Sequence, residues 1–176
     1  MLCRHGEPAN AEQLHALGEA LRGTPLAAVY TSPLARALET AVAIADVHQL
    51  VPIQISDLRE IDFGEVDGLE FDAFPAELQA ALLRDPLRVR FPDGETYSEL
   101  QERICRVIER LLSEHDGATI AVVTHAGSIR AALAAWLGIA DQAIFRIDQR
   151  YAAVNVVDWI DGVPLVRLVN GTGPAG

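Results

Sequence analysis

Apolar residues at Leu14, Leu17, Ala20 and Leu21 fall at helical spacing and predict a helix over 12–21. Met1-Leu2-Cys3-Arg4 reads as a very short strand running into His5-Gly6, and Leu26-Ala27-Ala28-Val29-Tyr30 as a buried strand. Thr31-Ser32-Pro33 then opens a long helix, with Ser32 as the expected N-cap and Pro33 in the first helical position. Its apolar stripe includes Leu38, Val42 and Ala45, and it ends about His48. Val51 to Ile55 is a short strand, and 57–72 is irregular, broken by Gly64 and Gly68. Phe74 to Arg84 looks helical and stops at Asp85-Pro86. Thr96-x-x-Glu99 is a capping box that opens a helix to about Ser113, with Gly117 beyond its end. Thr119 to Thr124 is the strongest strand, apolar on both faces. Gly127 or Ser128 starts a helix to about Leu137. Ala153 to Trp159 and Val163 to Val169 flank the hairpin turn Asp161-Gly162.

Strands that alternate with helices predict an α/β fold, a three-layer α/β/α sandwich around a mainly parallel central sheet. A length of 176 residues suits one domain, here 1–170, with 171–176 expected to be a disordered tail. Ligands of such sheets bind beyond the carboxyl ends of the strands.

Composition narrows the chemistry. Half the residues are hydrophobic, yet no uncharged apolar run approaches the ~18 residues of a membrane span. No secretory signal is visible, and Cys3 and Cys105 form no CxxC pair, so a reducing cytoplasm is expected. The 14 basic residues are all arginine, which excludes a Schiff-base or P-loop lysine. A net charge of −11 argues against nucleic acid or an anionic membrane as partner. An anionic small molecule would need a local arginine pocket set against that field.

Such a pocket has its candidates. His5 ends the first strand and His125 ends the strongest one, each followed closely by glycine. Arg4 precedes His5, and Arg36 lies in the first turn of the helix opened by Ser32-Pro33, just past another strand end. Glu60 supplies a carboxyl group from a loop. Two histidines, two arginines and a carboxyl group fit phosphoryl transfer. Arginine forks match phosphate oxygens, an imidazole can attack phosphorus, and a carboxylic acid can protonate the leaving alcohol. No metal and no cofactor are needed if arginines neutralise the developing charge.

The chain resembles the histidine phosphatase superfamily, also called phosphoglycerate-mutase-like. The resemblance rests on an ordered set over residues 1–130: Arg4-His5-Gly6-Glu7, Ser32-Pro33-Leu34-Ala35-Arg36-Ala37 with Thr40-Ala41, Leu58-Arg59-Glu60 with Phe63-Gly64 and Gly68, Gly94-Glu95-Thr96, and Thr124-His125-Ala126-Gly127. It implies that His5 is the phosphorylated nucleophile and that Arg4, Arg36 and His125 hold the phosphoryl oxygens. Glu60 would be the proton donor, and then the base for water. Gly6, Glu7, Asn10, Ala126 and Gly127 would line the substrate site. Two nearby guanidinium groups are expected to depress the His5 pKa, and Glu60 needs the opposite shift.

The chain departs from the family pattern in places. Glu7 is followed by Pro8 where threonine is usual, Asn10 lies one residue early, and Val66-Asp67-Gly68 stands where Trp-Glu-Gly is common. The segment between Glu7 and the first helix is markedly short. Either the site is open on that side, or a loop is missing from the sequence.

Other charged groups have plainer readings. His15, His48 and His115 lack ligand spacing and read as solvated or partly buried. Arg103, Arg106 and Arg110 recur at helical spacing, with Glu99 and Glu102 four residues before the first two, and read as an ion-pair-laced solvent face. Arg88 and Arg90 read as surface residues. The leading function is a phosphomonoesterase acting on a small phosphorylated metabolite. The alternatives are a phosphoglycerate-type mutase and a non-catalytic phospholigand-binding module. The region from Gly68 to Asp93 leaves little room for the closing insertion a mutase requires. The apolar hairpin Val154 to Val169 offers a sheet edge for a homodimer.

Overall fold

The computed structural model describes residues 1–7 and 10–173. The chain builds β1 (Leu2–Arg4), α1 (Ala11–Leu21), β2 (Leu26–Thr31), α2 (Ala35–His48), β3 (Ile53–Gln54), α3 (Ala76–Arg84), α4 (Tyr97–Glu114), β4 (Thr119–Thr124), α5 (Ala126–Leu137), β5 (Val154–Ile160) and β6 (Val163–Gly171). The strands form one sheet in the order β3-β2-β4-β1-β5-β6. β1, β2, β3 and β4 pair in parallel, whereas β5 and β6 add an antiparallel edge.

Alternation along the strands fills both faces. Leu2, Tyr30, Ile120 and Val122 join one buried cluster with Leu100, Ile104 and Val107 of α4 and Ile129 and Leu133 of α5. Cys3, Val29, Ala121 and Val123 join a second with Leu17 and Leu21 of α1 and Ala37, Ala41 and Ile44 of α2. Helices thus cover the sheet on both sides, the three layers expected from the pattern. Among the described residues no helix is long and apolar enough to cross a membrane.

Several boundaries differ from the sequence reading. α2 begins at Ala35 with Leu34 at its N-cap, two residues later than Ser32 and Pro33 predict. Ser32 Oγ does accept a hydrogen bond from Leu34 N–H at 3.3 Å, but across a turn that precedes the helix. β3 shrinks to two residues. Gly171 closes β6, so the expected tail does not start there, and 174–176 lie outside the described residues. The Thr96 capping box is present in full, with both reciprocal bonds. Cys3 is buried and Cys105 only partly so, both as free thiols.

Candidate active site

β1 and β4 are adjacent and parallel, with Arg4 opposite Thr124. The residues that follow them, His5 and His125, therefore leave the sheet side by side, and their ring centroids lie 5.1 Å apart. Backbone bonds fix the chain where it leaves β1 and β2 beside β4: His5 N–H donates to Thr124 O at 3.0 Å, and Ser32 N–H to Val123 O at 3.0 Å. His125 is the N-cap residue of α5, so its imidazole stands at a helix N-terminus.

The hydrogen bonds set the state of His5. Its Nδ1 lies 2.7 Å from Gly6 O, which can only accept. Nδ1 therefore carries the proton and Nε2 presents its lone pair. Gly6 N–H in turn donates to Thr40 Oγ1 at 2.9 Å, and Thr40 Oγ1 donates to Arg36 O at 2.9 Å. This chain ties the His5 loop to the first turn of α2, which carries Arg36. Nε2 of His125 pairs with Ser32 Oγ at 2.8 Å, and its buried Nδ1 has no protein partner. Arg4 lays its guanidinium over the Tyr151 ring, 4.0 Å from the centroid, while Nη1 donates to Gln149 O. Its buried Nε has no protein partner. Arg4 Nε–H is a buried donor of the kind a bound oxyanion would satisfy.

Burial pushes the His5 pKa down to about 4, with Arg36 and Arg4 adding to the shift and the Gly6 bond opposing it. His125 falls to about 3, again chiefly through burial, helped by Arg36 and by His5. The expected cause was the arginines; desolvation is the larger one. Glu60 shifts the other way. Burial raises its pKa against the backbone N–H donors of Ile61, Gly127 and Ser128 and the charge of Arg36. These are the directions of shift that suit a neutral nucleophile and a proton-donating acid.

Between about pH 6.5 and 4 the unfolded chain takes up protons that folded His5 and His125 refuse. Stability should therefore fall as pH drops through that window. Glu60 opposes this, because its raised value favours the folded state until pH rises past the ordinary carboxyl range. Imidazole NMR should find both rings neutral at pH 5.5 and above. Added phosphate should raise both titrations. A ring that titrates near its ordinary value without phosphate would contradict the burial described.

Glu60 reaches the site through α5. Its Oε2 accepts from Gly127 N–H at 3.1 Å, and its Oε1 accepts from Ile61 N–H at 3.0 Å. A Cβ on Gly127 would stand 2.4 Å from Oε1. Gly127→Ala must therefore push the carboxyl group aside, without harming the helix. It is expected to cut turnover of alkyl phosphates by about tenfold or more, with the ~10⁴-fold top of acid help as the ceiling. Comparison of kcat for alkyl and nitrophenyl esters checks this.

Arg4, His5, Arg36, Glu60, His125 and Gly127 thus gather at one edge of the sheet. Glu7 and Asn10 serve the turn beside it. Asn10 caps α1 by accepting from Gln13 N–H at 3.1 Å, and its Nδ2 donates to the exposed Glu7 carboxylate at 3.2 Å. Ala126 is simply the first residue of α5. Arg103 corrects the sequence reading most clearly. It is no solvent-face residue: its side chain is 11% exposed, paired with Glu95 at 14%. An exposed pair is screened by water and adds little, whereas breaking a buried pair such as Arg103–Glu95 costs about 3–5 kcal/mol. Glu99, the partner expected from spacing, pairs with Arg90 instead.

Three contributors had gone unassigned. Ser32 holds His125, Thr40 links the His5 loop to α2, and Tyr151 packs on Arg4. Thr40 sits one helical turn after Arg36, a spacing that puts both on one face. Tyr151 comes from the far end of the chain and carries no local signal.

The fold and this arrangement define an α/β protein with paired histidines at the carboxyl edge of its sheet. The chain belongs to the histidine phosphatase superfamily (branch 1), whose family model matches residues 7–172. The match begins just past His5. The bifunctional protein Rv2228c of Mycobacterium tuberculosis is 35% identical over 162 residues, 90% of this chain and 44% of that protein. The chain thus spans less than half the length of its mycobacterial relative. Phosphoserine phosphatase 1 of Hydrogenobacter thermophilus is 29% identical over 132 residues, covering 73% of this chain and 62% of that protein. The structure of YhfR from Bacillus stearothermophilus superposes with a TM-score of 0.86 at 24% identity, over 99% of this chain and 96% of that one, a likeness of fold.

Proposed function

We propose that the protein is a phosphomonoesterase acting on a small phosphorylated metabolite in the cytoplasm, as a single domain over 1–170. The observation that carries this reading is the pairing of a neutral His5, its Nε2 lone pair free, with a Glu60 whose pKa is raised. Arg4, Arg36 and His125 hold the phosphoryl oxygens. His5 Nε2 attacks phosphorus, the P–O bond to the alcohol breaks, and Glu60 gives its proton to the leaving oxygen. Glu60, now a carboxylate, takes a proton from water as that water attacks the phosphohistidine. Phosphate leaves and His5 is neutral again. The guanidinium groups balance the charge that develops on the equatorial oxygens.

The name of the phosphoserine phosphatase relative supports small phosphate esters as the substrate class. The test is a panel of small phosphate esters, with release of inorganic phosphate as the readout. Turnover should persist in EDTA and be inhibited by vanadate, a mimic of five-coordinate phosphorus. Activity lost to EDTA and restored by zinc or magnesium would contradict the mechanism. Phosphate that moves between hydroxyls with none released would favour a mutase.

A further inference from the structure

The loop that carries Glu60 lies between β3 and α3 and holds only short 3-10 turns, at Ser56–Leu58 and Gly64–Val66 on either side of Glu60, so most of its carbonyls need partners from elsewhere. Thr124 Oγ1 donates to Leu58 O at 2.6 Å, and Ser128 Oγ to Arg59 O at 3.1 Å. The rest falls to one residue of α4. Arg103 Nη1 donates to Asp57 O at 2.6 Å and to Arg59 O at 3.0 Å, and Nη2 reaches Glu60 O at 3.4 Å. Nη2 also meets the Glu95 carboxylate. Glu95 closes the loop from the other side: its Oε1 accepts from Asp62 N–H at 2.9 Å, and its own N–H donates to Asp62 O at 3.0 Å. The two strips of backbone touch so closely that neither Gly64 nor Gly94 has room for a side chain. A Cβ on Gly64 would stand 1.9 Å from Pro92 O, and one on Gly94 2.3 Å from Asp62 O.

We infer that Arg103, buttressed by Glu95, is a positioning residue that fixes the Glu60 loop so that the carboxyl group meets Gly127 and the leaving oxygen. Only a planar fork can serve carbonyls of residues 57, 59 and 60 and a carboxylate together. The inference rests on the reading of Glu60 as the acid.

Single-turnover phosphorylation of His5 by an alkyl ester and by a nitrophenyl ester tests it. The variants are Arg103→Met, Arg103→Lys, Glu60→Gln and the double Arg103→Met/Glu60→Gln. A loss of folded protein lowers both esters equally, whereas a misplaced acid lowers the alkyl ester selectively. Arg103→Met should cost the alkyl ester about tenfold or more, with the ~10⁴-fold top of acid help as the ceiling, and the nitrophenyl ester far less. Arg103→Lys keeps the charge but loses the fork, and should cause a smaller loss with the same selectivity. The double should lose no more on the alkyl ester than Glu60→Gln alone. Should Arg103→Met fail to fold, the selectivity of Arg103→Lys decides the matter. Equal losses on both esters in the Arg103 variants, or multiplying losses in the double, overturn the inference while Glu60→Gln stays selective. An unselective Glu60→Gln instead overturns the acid reading, and the positioning role with it.

Discussion

His5→Ala is expected to remove all covalent labelling and lower turnover by about 10⁴-fold or more, the scale seen when a covalent nucleophile is lost. The reason is geometric. His5 has its Nδ1 committed to Gly6 O and its Nε2 free. His125 is the nearest imidazole, but its Nε2 is already tied to Ser32 Oγ at 2.8 Å. The fold should survive, because the β1–β4 pairing that places residue 5 uses backbone bonds. Circular dichroism and phosphate-release assays on the purified variant check both halves. Substantial turnover in a folded His5→Ala protein would move the nucleophile elsewhere.

Glu60→Gln should fail in a different way. The amide keeps the size and removes the proton, so the bond to Gly127 N–H can persist. Phosphorylation of His5 by alkyl esters should fall by ~10²- to 10⁴-fold. A nitrophenolate leaving group needs little protonation, so phosphoenzyme formation from its ester should suffer much less. Release of phosphate should then be slow for both esters, since the base for water is gone, and the phosphoenzyme should accumulate. Stopped-flow release of nitrophenol, set against quenched-flow labelling with an alkyl ester, separates the steps. Equal losses in the first step would make Glu60 a substrate-positioning group, and Glu7 would be the next acid to examine.

The core of the site was legible because it depends on strand ends. A short apolar run ending in Arg4-His5-Gly6 and a strong one ending in Thr124-His125 place two imidazoles together once the strands are neighbours, and Arg4 opposite Thr124 makes them so. Glu60 was legible as a carboxyl group in a loop, but the sequence held no sign that Gly127 supplies the space and the N–H it uses. Ser32 was misread because Ser-Pro is also a strong helix-start signal; here the hydroxyl turns toward His125, and the helix begins later. Arg103 was misread through charge spacing alone. It lies three residues after Leu100 and four before Val107, both buried, so helical geometry already put it at the edge of the core. The pKa of His5 was expected to fall on account of the arginines, yet the larger cause is burial, which only the packed structure reveals.

The central claim is that phosphate passes through His5, and it can be tested by trapping. Rapid quench of the native protein with a nitrophenyl phosphate, followed by peptide mass spectrometry under mildly basic conditions, reads the site directly. The account predicts a burst of about one nitrophenol per chain and an acid-labile phosphoryl group on the peptide containing His5. Turnover with no phosphoryl group on His5, or with the label on another residue, would contradict it.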